Sequence, residues 1–188
     1  MNQLLKLNLG CGFKRLPGCV NVDGEPKCSP DQVVDLEKFP WPWPDNSVSE
    51  VHLVHVLEHL GREPQVYMGI MKELWRVCVP QAAIYITVPH HRHDNFHADP
   101  THVRVVTPLG LSLFDKAQCE RWIEEGYSNT PLAMYCGVDF EVASIRYDFE
   151  RAWLDRLESG AISEEQLWDA AQHQCNVVTQ IRFVLRTR

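Results

Sequence analysis

Short apolar runs recur along the first half of the 188-residue chain, and each is followed by glycines, acids or histidines. Leu4–Leu9, Cys19–Asp23, Gln32–Leu36, Glu50–His55 and Ala83–Val88 have the length and the aliphatic content of buried strands. Over residues 64–78 the period changes. Val66, Ile70, Met71, Leu74, Val77 and Cys78 fall at helical spacing there, and Pro64 suits a first turn. A second helix is expected after Thr107-Pro108, carrying Leu111, Phe114, Cys119 and Trp122. Strands alternating with helical stretches predict a mostly parallel sheet with flanking helices. Phe140–Phe149 and Val177–Leu185 read as two later strands, and the acidic stretch between them as a helical pair in which Ser163 and Gln166 fit a capping box. The pattern predicts an α/β fold with a doubly wound, mostly parallel seven-stranded sheet of Rossmann-like type. An antiparallel C-terminal strand pair completes it, with a helical insertion at about residues 150–175.

Composition narrows this little. With 45% hydrophobic and 23% charged residues, no repeat and no linker, residues 1–188 read as one domain. The net charge of -7 weighs against nucleic acid, because neutralising phosphates needs a basic face. No apolar run is long enough to span a bilayer, and the first six residues do not read as a signal peptide. The seven cysteines include no C-x-x-C pair, so reduced thiols and a cytoplasmic location are expected, with no membrane partner. The oligomeric state stays open.

The chemistry starts at "LNLGCGFKRLPGCVNVD", residues 7–23. Gly10 and Gly12 follow the first strand, Arg15 stands where a third glycine would complete G-x-G-x-x-G, and Asp23 ends the second strand. A dinucleotide fold needs a full helix after the loop, whose N-terminus binds the pyrophosphate. Only Phe13 to Gly18 separate the loop from the second strand here, and Pro17 interrupts them. A cofactor with a ribose and no phosphate fits better, and S-adenosylmethionine is one. Its diol suits Asp23, and its methionine end suits the backbone of the glycine turn. Asp35 and the Leu36 backbone, at the end of the third strand, are placed to meet the adenine. The other polar clusters also follow strand ends, where open parallel sheets bind ligands.

Taken together, "LNLGCG", "VNVD", "PWPDNSV", "HVLEHL" and "DPTHVR" resemble the class I S-adenosylmethionine-dependent methyltransferases, and most of all a small bacterial branch of them. The likeness spans roughly Leu5 to Pro108 and rests on several ordered motifs. It implies Gly10, Cys11 and Gly12 at the methionine end, Asp23 on the ribose, Asp35 and Leu36 near the adenine, and His55 beside the donor methyl. Two departures stand out: Asn8 replaces the acid frequent in the first strand, and Pro80-Gln81-Ala82 replaces the usual Pro-Gly-Gly.

The histidines admit several roles. "HVLEH" satisfies H-x-x-E-H, a zinc-peptidase pattern that needs His55 and His59 on one helical face with Glu58 as base. The β-rich residues before His55 and Gly61 after His59 instead place His55 at a strand end, parting the two ligands, so no tightly held zinc is expected. His90, His91, His93, His97 and His102 form a denser group with Asp94 and Asp99. They could bind a transition metal, line an acceptor pocket or fill a solvated loop. Asp99-Pro100-Thr101-His102 is the rigid part, and His102 with Asp99 is the candidate for removing the acceptor's proton. Trp41 and Trp43 could cover the adenine or simply pack on the sheet. The expected function is methyl transfer to a small-molecule or glycan acceptor. The rivals are a non-catalytic cofactor-binding module and, behind it, a metal-dependent hydrolase using the histidines.

Overall fold

A computed structural model of the chain describes residues 3–188. Met1 and Asn2, which belong to the expected 1–188 domain and to the segment read for a signal peptide, lie outside the described residues. Seven strands form one sheet: β1 (Leu5–Leu9), β2 (Val20–Asp23), β3 (Gln32–Val33), β4 (Val48–Val54), β5 (Cys78–Pro89), β6 (Phe140–Phe149) and β7 (Val178–Thr187). Their order is β3-β2-β1-β4-β5-β7-β6. The first five are parallel, and β7 runs antiparallel to both β5 and β6. From β1 the chain steps outward to β2 and β3, then returns to the other side of β1 as β4. That reversal opens a crevice between the carboxyl ends of β1 and β4.

One core unites the sheet. Leu7, Leu9, Val22, Val51, Leu53, Ile84 and Ile86 are buried along the strands. Helix α1 (Pro64–Val77) adds Ile70, Met71, Leu74 and Val77, all fully buried on one helical face. Each such side chain contributes roughly 1.5–3 kcal/mol by leaving water. Between β5 and β6 lie four short helices: α2 (Asp94–His97), α3 (Pro108–Ser112), α4 (Lys116–Glu124) and α5 (Leu132–Cys136). The insertion between β6 and β7 holds α6 (Arg151–Glu158) and α7 (Glu164–His173), with the Ser163–Gln166 capping box formed. It has its own apolar cluster of Ile162, Leu167, Ala170 and Val177. Among the described residues, no helix is long and apolar enough to cross a membrane.

The structure corrects several boundaries. β3 keeps only Gln32–Val33, so Asp35 and Leu36 sit on the turn beyond it. β4 starts earlier than expected and stops at Val54, leaving His55 past its end with a left-handed φ of 56°. Cys78 opens β5 instead of closing α1. The expected helix after Pro108 is broken into α3 and α4, with buried Phe114 in the break. Val177 precedes β7, which continues to Thr187. Helical crossovers are also fewer than the alternation suggested. Before α1, 3-10 turns at Pro26–Cys28 and Leu57–His59 are the only helical backbone among the described residues.

Asn8 and the Pro80-Gln81-Ala82 segment both have structural roles. Gln81, within the Pro-Gln-Ala segment, adopts φ 68°, a left-handed backbone usually given to glycine. Asn8 is buried and donates to the Asn21 side chain and the Lys14 carbonyl, both at 2.9 Å. Asn21 in turn accepts from Leu16 N–H at 2.7 Å. Two buried amides therefore hold the β1–β2 loop in the place of a helix. Asn21 is itself fixed by Asp31, whose carboxyl is held down to about 2, first by the Asn21 N–H and side chain and then by Arg15.

Candidate functional site

The crevice between β1 and β4 contains a cavity of about 460 Å³, lined by Asn8, Gly10, Cys11, Gly12, Phe13, Lys14, Leu16, Val54 and His55. Gly10 and Gly12 have φ of 62° and 49°, so the loop turns sharply off β1. A Cβ on Gly10 would come 2.5 Å from Val56 Cγ2, which makes that position glycine-only by space as well as by φ. Gly12 N–H donates to Asp23 Oδ2 at 2.8 Å, tying the glycine turn to the acid at the end of β2. Asp23 Oδ1 accepts from Glu25 N–H at 2.9 Å. Phe13, 82% exposed on the rim, is not among the expected site residues, although an apolar residue inside a polar loop is a signal.

Asp23, Asp35 and Leu36, expected on the cofactor, are outside the residues that line this cavity. Asp35 accepts from Glu37 N–H and Lys38, which hold its carboxyl below the usual range against the opposing effect of burial. The Leu36 carbonyl takes the Trp41 indole N–H at 3.1 Å. Trp41 and Trp43 are buried and pack edge to face at 5.7 Å, so they belong to the core and anchor the Asp35–Leu36 turn from beneath. Burial, followed by the Asp23 charge, pushes the Cys11 thiol up, which does not suit a nucleophile.

His55 joins the cavity to a second group. It is half exposed, its N–H donates to the Thr87 carbonyl at 2.8 Å, and its Nδ1 lies 3.3 Å from Glu58 Oε1. The Glu58 side chain is 1% exposed, and neither carboxylate oxygen has a hydrogen-bond partner. Its backbone carbonyl accepts from both Val103 and Arg104 N–H, which brings the 99–104 segment against the turn that carries it. One carboxylate oxygen of Glu58 and one nitrogen each of His59 and His102 lie within 4.8 Å of one another. His55 is outside that set, so the H-x-x-E-H pair does not converge as a peptidase site would require. A second convergent set, Cys19, Glu50 and His52, lies elsewhere, with Glu50 already engaged by Lys6 and His52.

Hydrogen bonds fix the imidazoles of this group. Thr101 Oγ1 donates to Asp99 Oδ1 at 2.6 Å, so it must accept from His59 Nδ1–H at 2.9 Å. His102 Nδ1–H donates to the Phe96 carbonyl at 2.7 Å. In the neutral imidazole, each ring then carries its lone pair on Nε2. Asp99 therefore serves Thr101, and through it His59, and makes no hydrogen bond to His102. The Thr101 hydroxyl and N–H hold its carboxyl below its usual range.

The five-histidine segment disperses. His90 and His91 border a separate cavity of about 300 Å³ with Tyr147 and Trp168, against the helical insertion. Burial drives His90 down to about 4. His93 pairs with Glu150 at 3.3 Å, and His97 with the His91 carbonyl at 3.0 Å. Only His102 reaches the group beside His55. In the sequence, Glu58 and His59 carry a signal only through the H-x-x-E-H motif, since their partner lies more than forty residues along the chain.

No protein-family model matches the chain, and no curated protein does. Solved structures do share its fold. A SAM-dependent methyltransferase from Archaeoglobus fulgidus is similar with a TM-score of 0.64 at 18% identity, over 98% of this chain and 86% of the other. One from Methanosarcina mazei gives 0.55 at 12% identity, over 99% and 94%. A [4+2]-cyclase gives 0.55 at 14% identity, over 99% and 76%. The chain thus has the Rossmann-like methyltransferase fold: a seven-stranded mixed sheet whose β5-β7-β6 part is antiparallel.

Proposed function

We propose that the chain binds S-adenosylmethionine in the β1–β4 crevice and transfers its methyl group to a small-molecule or glycan acceptor. The carrying observation is the glycine turn, which lines a cavity of about 460 Å³ together with His55 and is tied by Gly12 N–H to Asp23 at the end of β2. In this reading Gly10, Cys11 and Gly12 take the methionine end, Asp23 the ribose, and Asp35 with Leu36 the adenine. His55, at the cavity wall and against Glu58, faces the donor methyl. The lone pair on His102 takes the acceptor's proton, and Asp99 positions the segment through Thr101. Methyl transfer from a sulfonium needs alignment above all, with a base for weak nucleophiles.

Calorimetry tests the reading. S-adenosylmethionine is expected to bind in the micromolar range, about -8 kcal/mol, and NAD not at all. Asp23→Ala is expected to weaken binding by roughly 1.5–3 kcal/mol, the scale of hydrogen bonds to a charged group. Binding of NAD, or indifference to Asp23→Ala, overturns it. One neighbour of this fold is named a cyclase, so the fold by itself does not entail methyl transfer, and a cofactor-binding role without transfer is the second reading. Formation of S-adenosylhomocysteine with an acceptor separates the two.

A further inference from the structure

We infer that Glu58, His59 and His102 form a binding site for one divalent transition-metal ion, with zinc the favoured occupant. Two imidazole nitrogens and one carboxylate oxygen already lie within 4.8 Å of one another. Atoms bound to one zinc at about 2.0–2.2 Å can be no more than roughly 4.4 Å apart. In a tetrahedral site they stand roughly 3.3–3.6 Å apart, so side-chain movements of about an ångström bring the three atoms onto one ion. The second observation is the state of Glu58. Its carboxylate is buried, neither oxygen makes a hydrogen bond, and His55 Nδ1 sits 3.3 Å from Oε1. A buried carboxylate left this way is costly, and a coordinated cation removes the cost.

The surroundings are those of ligands. The Asp99–Thr101–His59 chain of hydrogen bonds and the Phe96 carbonyl on His102 each hold an Nδ1–H, leaving the lone pair on Nε2. Outer-shell bonds of this kind fix the tautomer and the ring orientation of metal-bound histidines. Two imidazoles with one carboxylate suit zinc, cobalt or iron, and not magnesium or calcium, which take oxygen ligands. Three protein ligands also leave a position for water or a substrate oxygen. This set differs from the H-x-x-E-H pairing, because it replaces His55 with a histidine from the distant segment. Ligation draws on the lone pair that His102 would use as a base. Slower methyl transfer with zinc bound than after chelation is the consequence if both roles hold.

The test needs neither cofactor nor acceptor, so its failure is distinct from failure of the methyl-transfer reading. Full-length protein free of any polyhistidine tag is stripped with chelator and titrated with cobalt(II), followed by visible absorption, and with zinc by calorimetry. One equivalent is expected to bind more tightly than micromolar. Glu58→Gln and His59→Ala should each weaken binding by about 100-fold or more, beyond the 10–100-fold expected of the outer-shell change Thr101→Val. Thr101 is exposed, so that variant keeps the test informative if a buried change impairs folding. His173→Ala, on α7, should bind as the parent does. No ion uptake by the parent, or undiminished uptake by Glu58→Gln and His59→Ala, overturns the proposal; the latter would move the ion to another set such as Cys19, Glu50 and His52.

Discussion

Replacing Gly10 by alanine separates two reasons for a glycine at the turn that shapes the cavity. The first is conformational: φ is 62°, and an L-residue there pays roughly 1–2 kcal/mol for the approach of its Cβ to the carbonyl. The second is spatial. The new methyl would sit 2.5 Å and 2.7 Å from the two γ-carbons of buried Val56, and overpacking of this kind costs about 1–3 kcal/mol. Together they predict a loss of about 2–5 kcal/mol, a serious fraction of the 5–15 kcal/mol typical of a folded domain. Val56→Ala removes both clashing carbons and leaves Val56 Cβ at 3.2 Å. In that background Gly10→Ala should cost only the conformational part, so the coupling between the two sites should be about 1–3 kcal/mol. Urea unfolding of the four proteins in the cycle measures it directly. An equal cost in both backgrounds would refute the steric argument, and a cost below about 0.5 kcal/mol in the parent would refute both.

Two further outcomes follow from the titrating groups and the proposed chemistry. His90 is 93% buried and neutral in the folded state, its value pushed by burial from 6.5 to about 4, while the unfolded chain takes up a proton near 6.5. The unfolded state then binds more protons between those values, so stability is full above about pH 6.5 and falls as the pH drops towards 4. The loss is on the order of 3 kcal/mol at 1.36 kcal/mol per pKa unit. His90→Asn, whose amide oxygen can replace Nδ1 as acceptor for Arg92 N–H, should flatten that slope in unfolding curves at pH 7 and pH 5, and an unchanged slope would assign it elsewhere. His102→Ala, assayed in chelator-treated protein, should lower kcat roughly 10²–10⁴-fold with cofactor affinity little changed; full transfer with normal melting would remove it from the base role.

The sheet was legible because its strands carry their signal locally. β6 matches its expected bounds, Phe140–Phe149, and α1 follows its apolar spacing to Val77. What the sequence hid depends on partners far along the chain. Val34-Asp35-Leu36 has a strand-like pattern, but Trp41 captures the Leu36 carbonyl, and the backbone turns. Pro80 and Gln81 read as a loop, yet Thr187 supplies the hydroxyl that satisfies Ala82 N–H, and β5 runs through them. At the site, the glycine turn and Asp23 were readable from spacing, since both lie within one β-loop-β unit. The grouping of His102 with His59 and Glu58 was not, because it arises from two backbone bonds onto the Glu58 carbonyl. The histidine run looked like a single cluster in one dimension, and its members face different neighbours in three.

The position of β7 between β5 and β6 bears on the order in which the sheet can assemble. β6 and β7 are joined by the α6–α7 insertion and can meet across a short span, whereas Ala83 pairs with Arg186, about a hundred residues away. Closing so large a loop costs more chain entropy than any neighbouring pairing, and non-local contacts of this type slow folding. β6 touches the rest of the sheet only through β7, so the two must arrive together or β6 has nothing to join. Until they dock, the long edge of β5 stands bare, with its N–H and C=O groups unpaired along one side. A half-assembled molecule in that condition offers a template to any passing strand, including one from a second copy of itself. The antiparallel pair is thus the closing step of the architecture and the guard of its widest seam.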